Sequence, residues 1–120
     1  MIVAISAQEI AIIKKTDAAL NDLDQVIESL EREHLDIVFI EGFHTLIAKR
    51  TDIPKIVTAV DEDNLKHTLE ETVEPILAIS GVISLNKPKI RGLKIPILNL
   101  ETEGDQLIRL VKGCIKGKLD

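Results

Sequence analysis

The stretch Leu35–Phe43 reads LDIVFIEGF: a dense apolar run that meets an acid and then a glycine. Leu35–Ile40 is apolar except at Asp36 and rich in β-branched and aromatic residues, so it is predicted to be a strand. It lacks clean alternation, which points to burial on both faces, as in a parallel sheet covered by helices. Open parallel sheets bind ligands beyond the carboxyl ends of their strands, and Glu41 stands there. An acid in that position, followed by Gly42, has the form of a Walker B element, which holds Mg²⁺ or its water against nucleotide phosphates. Glycine lets a backbone or ligand approach closely.

Working outward, Ile2–Ile5 (IVAI) and Ile10–Ile13 (IAII) are β-rich runs separated by Ser6-Ala7-Gln8-Glu9, which predicts an antiparallel hairpin. Asn21 and Asp22 offer caps for a helix whose apolar residues Leu23, Val26, Ile27 and Leu30 recur at helical spacing. Its polar face carries Gln25, Glu28, Glu31 and Arg32. Residues 44–54 read as irregular up to Pro54. Lys55–Val60 is the next strand, and Glu62–Thr72 a short helix with Leu65 and Leu69 inward. Ile76–Ile79 is a further strand ended by Ser80-Gly81, the second strand end with groups suited to a ligand. Lys87–Lys94 is a loop and Ile95–Leu98 a last strand. The closing helix is predicted to start at Thr102, with Asp105 at the capping-box spacing. Its inward stripe is Leu107, Ile108, Val111, Cys114 and Ile115, and Gly117 is its stop. Strands alternating with helices predict an α/β domain with a mostly parallel sheet.

Composition narrows the function. The 120 residues suit one domain, 1–120, with an aliphatic core, because the only aromatics are two phenylalanines. Acids outnumber Lys and Arg by 20 to 15, for a net charge of −5, which argues against nucleic-acid binding. No apolar run reaches the ~20 residues of a membrane span, and Met1-Ile2-Val3 does not open a signal peptide. Together with a single cysteine, Cys114, this leads to the expectation of a cytoplasmic protein. Cys114 lies on the apolar side of its helix and reads as an inert buried thiol.

Other motifs are weaker. A Walker B acid needs the loop G-x-x-x-x-G-K-[ST]. The nearest approach, Gly113-Cys114-Ile115-Lys116-Gly117-Lys118-Leu119, is one residue short and has no hydroxyl. It also ends a helix, where carbonyls repel phosphate. Asn86-Lys87-Pro88-Lys89 has the start of a guanine-reading N-K-x-D, but Lys89 replaces the acid, so it reads as a turn. Lys87, Lys89, Arg91 and Lys94 read as a solvated loop. His34, His44 and His67 have no partners at metal-ligand spacing; His44 lies nearest the expected crevice.

The segments around Glu41 resemble a known family. LDIVFIEGFH followed by IPKIV is similar to the D-L-x-L-V-E-G-F-K … P-K-I signature of the molybdopterin-guanine dinucleotide biosynthesis protein B (MobB) family. IVAISAQEIAII resembles that family's hairpin, and ILAISG and IPILNLETEGDQLIRLV resemble its later strands and final E-G helix segment. The resemblance runs along essentially the whole chain and corresponds to the back two-thirds of such a protein, after its P-loop. It implies a three-layer αβα fold with a mostly parallel P-loop-type sheet and an N-terminal antiparallel hairpin, the first strand, phosphate loop and helix being absent from this sequence. It implies a nucleotide site at Glu41, Gly42, Ser80 and Gly81, with GTP as ligand and Mg²⁺ on Glu41. It further implies an adaptor for the enzyme joining GMP to molybdopterin, with at most weak GTPase activity. His44 stands where the family usually carries Lys. A strand next to Leu35–Ile40 is wanting, and unpaired buried peptide groups cost on the order of 1–3 kcal/mol each. The chain is therefore expected to associate, either with itself or with a separate P-loop-bearing polypeptide. The second reading is an interaction module carrying a relic Walker B; the third is a fragment of another P-loop GTPase or kinase.

Overall fold

Residues 55–60 alternate between core and solvent, and that alternation builds the sheet: Lys55, Val57 and Ala59 are buried while Ile56, Thr58 and Val60 are exposed. The computed structural model describes residues 2–5, 10–13, 23–35, 37–42 and 44–119. It is a mixed α/β chain that divides into two compact units, Met1–Asp36 and Ile37–Asp120.

In the first unit, β1 (Ile2–Ile5) pairs antiparallel with β2 (Ile10–Ile13), Ile2 opposite Ile13 and Ile5 opposite Ile10. The expected turn at Ser6–Glu9 lies outside the described residues. Helix α1 spans Leu23–Glu31; its expected caps Asn21 and Asp22 also lie outside them. Ile27 and Leu30 are half-buried, while Gln25, Glu28, Glu31 and Arg32 are exposed, as an amphipathic helix requires. The helix stops where His34 adopts a left-handed φ of 54°, a conformation that cannot continue a right-handed helix.

In the second unit, α2 (His44–Ile47) leads to β3 (Lys55–Thr58), α3 (Glu62–Glu71) and β4 (Ile76–Ser80), and a 3₁₀ turn follows at Val82–Leu85. β3 and β4 are parallel, with Val57 opposite Ile79 and Thr58 opposite Ser80. The connection through α3 is what parallel neighbours need. Asp61 caps α3 by accepting from the Asn64 N–H at 2.8 Å, and Asn64 returns its side-chain oxygen to the Val60 N–H at 2.9 Å. Val57, Ala59, Leu65, Ile79 and Ile83 form the core, with Leu69, Ile76, Ile90, Leu93, Ile95 and Ile97 packed against it. Each fully buried large aliphatic contributes about 1.5–3 kcal/mol.

Several expectations are corrected. Leu35 and residues 37–40 are not in a strand, and Leu35, Ile37, Val38 and Phe39 are exposed, Phe39 by 78%. A strand needs a partner for its peptide groups, and among the described residues none flanks this run. Residues 44–54 are not wholly irregular, since they include α2. Ile95–Leu98 is not a full strand: only Ile97 bridges to Ile79, with Ile79 N–H donating to Pro96 O at 2.9 Å and Leu98 N–H to Ile79 O at 2.8 Å. Pro96 has no N–H for the next rung of a parallel ladder.

The last helix, α4, spans Leu100–Leu119, so it begins before Thr102 and passes Gly117. Asn99 is its cap: its side-chain oxygen accepts from the Glu101 N–H at 2.9 Å, and Glu103 Oε1 accepts from the Asn99 N–H at 3.1 Å. Glu103 breaks the helical path (φ −125°, ψ 20°). Beyond the break the half-buried residues include Leu107, Leu110, Val111, Cys114 and Ile115, whereas Ile108 is 52% exposed. The stripe turns on Leu110, not Ile108, because i, i+3, i+4, i+7 from Leu107 gives Leu110, Val111 and Cys114.

Candidate functional site

The carboxyl ends of β3 and β4 lie side by side, so Ala59–Asp61 and Ser80–Ile83 form the rim at which an open sheet meets a ligand. Ser80 and Gly81 are there, as the sequence suggested. Ser80 is buried, and its Oγ donates to Leu98 O at 2.9 Å, tying β4 to the Ile97 segment. Gly81 has φ +92° and ψ −161°, a region essentially confined to glycine. A Cβ there would meet Ala59 O at 2.9 Å and Ala59 N at 3.2 Å. That same Ala59 carbonyl accepts from Ile83 N–H at 3.0 Å. The Gly81 carbonyl takes the Ser84 hydroxyl at 2.6 Å. The hydroxyl of Ser80 and the missing side chain of Gly81 thus close the turn after β4.

Sequence reasoning passed over Asp61 and Asn64 at this rim. The signal was the spacing D-x-x-N at the end of a strand, which is an N-cap pattern. Both side chains are engaged in capping α3.

Glu41 and Gly42 take no part in these hydrogen bonds. Glu41 is exposed and makes no hydrogen bond or ion pair among the described residues. Gly42 has φ +82° with no atom within 4 Å of a built Cβ, so its glycine serves the turn of the backbone and not a tight contact. No hydrogen bond or ion pair among the described residues joins Glu41 to Ser80. His44 opens α2 and is exposed.

The Pro54-Lys55 pair has a different role. Lys55 is buried, and its Nζ donates to the carbonyls of Arg50 (2.5 Å) and Ile53 (2.8 Å), holding the loop before β3. Burial pushes its pKa below the usual lysine value, while Asp52 acts in the opposite sense. Arg50 in turn makes a two-point contact with Asp52, at 2.8 and 2.7 Å.

Among the described residues, no group of three or more His, Cys, Asp and Glu is placed to hold a metal. The starts of α3 and α4 are acidic: Asp61, Glu62 and Asp63 at α3, Glu101 and Glu103 at α4. Acids already satisfy these dipole ends and would repel phosphate. A single carboxylate such as Glu41 fits Mg²⁺ only as one ligand among waters and phosphate oxygens.

No family model matches this chain, and neither a curated protein nor a solved structure matches it. No helix among the described residues is long and apolar enough to cross a membrane.

Proposed function

We propose that this chain is a MobB-like component of molybdenum-cofactor biosynthesis that supplies the acid half of a GTP–Mg²⁺ site. The observation that carries the proposal is Glu41: an exposed carboxylate directly after an apolar run, with no hydrogen bond or ion pair among the described residues, while the polar side chains of the Ser80 rim are committed to packing and capping. Glu41 would hold Mg²⁺ or its water, which neutralises phosphate charge in such a site, and Gly42 would let the phosphates approach. Ser80 and Gly81 contribute the shape of the rim through their backbone. The three-layer P-loop-type architecture belongs to this proposal. So does a phosphate loop supplied by a separate polypeptide, since the acidic starts of α3 and α4 disfavour phosphate. A molybdenum-cofactor guanylyltransferase is the client this reading names.

The test is titration of GTP with Mg²⁺ into the chain alone and into its mixture with a P-loop-bearing partner. Mg²⁺-dependent binding is expected only in the mixture, weakened at least tenfold by Glu41→Ala. Equal binding by wild type and Glu41→Ala would refute the nucleotide role. The second reading, a non-catalytic interaction module, is favoured by the bonds that occupy Ser80 and Gly81; it predicts no nucleotide binding in any mixture.

A further inference from the structure

Residues 76–100 hold Lys87, Lys89, Arg91 and Lys94 and no Asp or Glu, a local charge of +4 in a chain of −5. One compact turn gathers three of these cations. Leu93 N–H donates to Ile90 O at 3.2 Å, and Gly92, the third residue of that turn, has a φ of +82°, which type II turns require there. Ile90 and Leu93 pack against the core, while Lys89, Arg91 and Lys94 are exposed. None of these three makes a hydrogen bond or ion pair among the described residues. Lys87 differs, since its ammonium is held by Glu103.

Apolar side chains lie close to this turn. In the 3₁₀ turn Val82–Leu85, Ile83 and Ser84 are buried, whereas Val82 and Leu85 are 56% and 69% exposed. Positions i and i+3 of such a turn eclipse, so Val82 and Leu85 form one apolar face. Four residues of chain reach at most about 14 Å, and Leu85 is therefore within that distance of Lys89. Lys87 N–H donates to Ile83 O at 3.1 Å and keeps the link folded. We infer that Val82, Leu85, Lys89, Arg91 and Lys94 together dock an acidic segment of another protein. Its Asp and Glu side chains meet the turn, and the apolar side chains between them meet Val82 and Leu85.

Charge selects the occupant, because complementary potentials steer encounter and suppress wrong partners. Ala59 O accepts from Ile83 N–H at 3.0 Å, so the 3₁₀ turn abuts the end of β3, where Asp61, Glu62 and Asp63 follow. A flat anionic membrane laid on Val82 and Leu85 would be repelled by these acids, whereas a peptide covers the basic side alone. A nucleic-acid strand is held by bases stacked on aromatic rings, and residues 76–100 contain none. The docking surface shares no residue with the proposed nucleotide site at Glu41, and its test contains no nucleotide beyond an oligothymidylate control.

The experiment is fluorescence anisotropy on the full-length chain with a short labelled peptide of alternating Glu and Leu. Control peptides carry Lys in place of Glu, or Ser in place of Leu. Vesicles of phosphatidylcholine with phosphatidylserine, and oligothymidylate, are the remaining probes. Saturable binding of the Glu–Leu peptide alone is expected, weakening as salt rises. Joint replacement by Lys89→Glu, Arg91→Glu and Lys94→Glu is expected to weaken it at least about tenfold, and Leu85→Ser roughly fivefold, with the far-ultraviolet circular dichroism unchanged. The charge-preserving set Lys89→Arg, Arg91→Lys and Lys94→Arg should retain binding. A Glu–Leu peptide that fails to bind overturns the inference. So do equal binding of the Ser peptide, full binding by the charge-reversed variant, and tighter binding of vesicles or oligothymidylate.

Discussion

Gly81 shows how one residue without a side chain can set the rim of a sheet. Its left-handed φ and the 2.9 Å approach of a built Cβ to Ala59 O act together. Gly81→Ala is therefore expected to lower stability by about 2–4 kcal/mol in urea unfolding, combining backbone strain with displacement of Ala59. Gly42 provides the contrast, because its φ is also positive but the space around it is open. Gly42→Ala is expected to cost about 1–2 kcal/mol, the strain alone. A second residue-scale effect is the ion pair between Lys87 Nζ and Glu103 Oε1. The hydrogen bond from Lys87, and next the Asn99 N–H, hold the Glu103 carboxyl below its usual pKa. A carboxylate whose folded-state pKa is depressed adds stability that is complete above its unfolded value and is lost as pH falls through the folded value. The acid limb of the stability–pH curve, below about pH 4.3, is therefore expected to flatten in Glu103→Gln. Lys87→Ala should flatten it to a similar degree.

At the scale of elements, each helix shows how far sequence period reaches. The strand at Lys55–Val60 and the Leu65/Leu69 spacing were legible, but not which face of the strand is buried, since Lys55 is buried while Ile56 and Val60 are exposed. α4 was legible in existence but not in phase or start. Two capping patterns compete there, Thr102 with Asp105 and Asn99 with Glu103, and the structure uses the second. Asn99→Ala is expected to cost about 1 kcal/mol, while Thr102→Ala should stay within roughly 0.5 kcal/mol, the range of ordinary surface changes. The same logic separates two apolar residues. Leu65, 1% exposed at the core, should lose about 2–5 kcal/mol on truncation to Ala. Ile108, on the outer side of α4, should change stability by less than about 0.5 kcal/mol. Denaturant midpoints of the four variants check both pairs.

For the whole molecule, the fully buried hydrophobics among the described residues all lie in the second unit. Among the described residues, β4 has β3 on one side and the Ile97 bridge on the other.

The sequence alone determined the elements whose pattern is local: the β3–α3–β4 alternation, the apolar face of α1, the existence of α4 and the strand-end positions of Ser80 and Gly81. It also placed Glu41 after an apolar run, and nothing in the fold alters that. Tertiary structure decided whether runs became strands. LDIVFI has strand composition, yet hydrogen bonds between strands are made with a partner, and among the described residues it has none. Ile95–Leu98 was reduced to one bridge because Pro96 lacks a donor. The function of Ser80 and Gly81 was likewise undecidable from neighbours in sequence. Ser80 is bonded to Leu98 and Gly81 packs on Ala59, and such distant partners exist only once the chain has closed on itself.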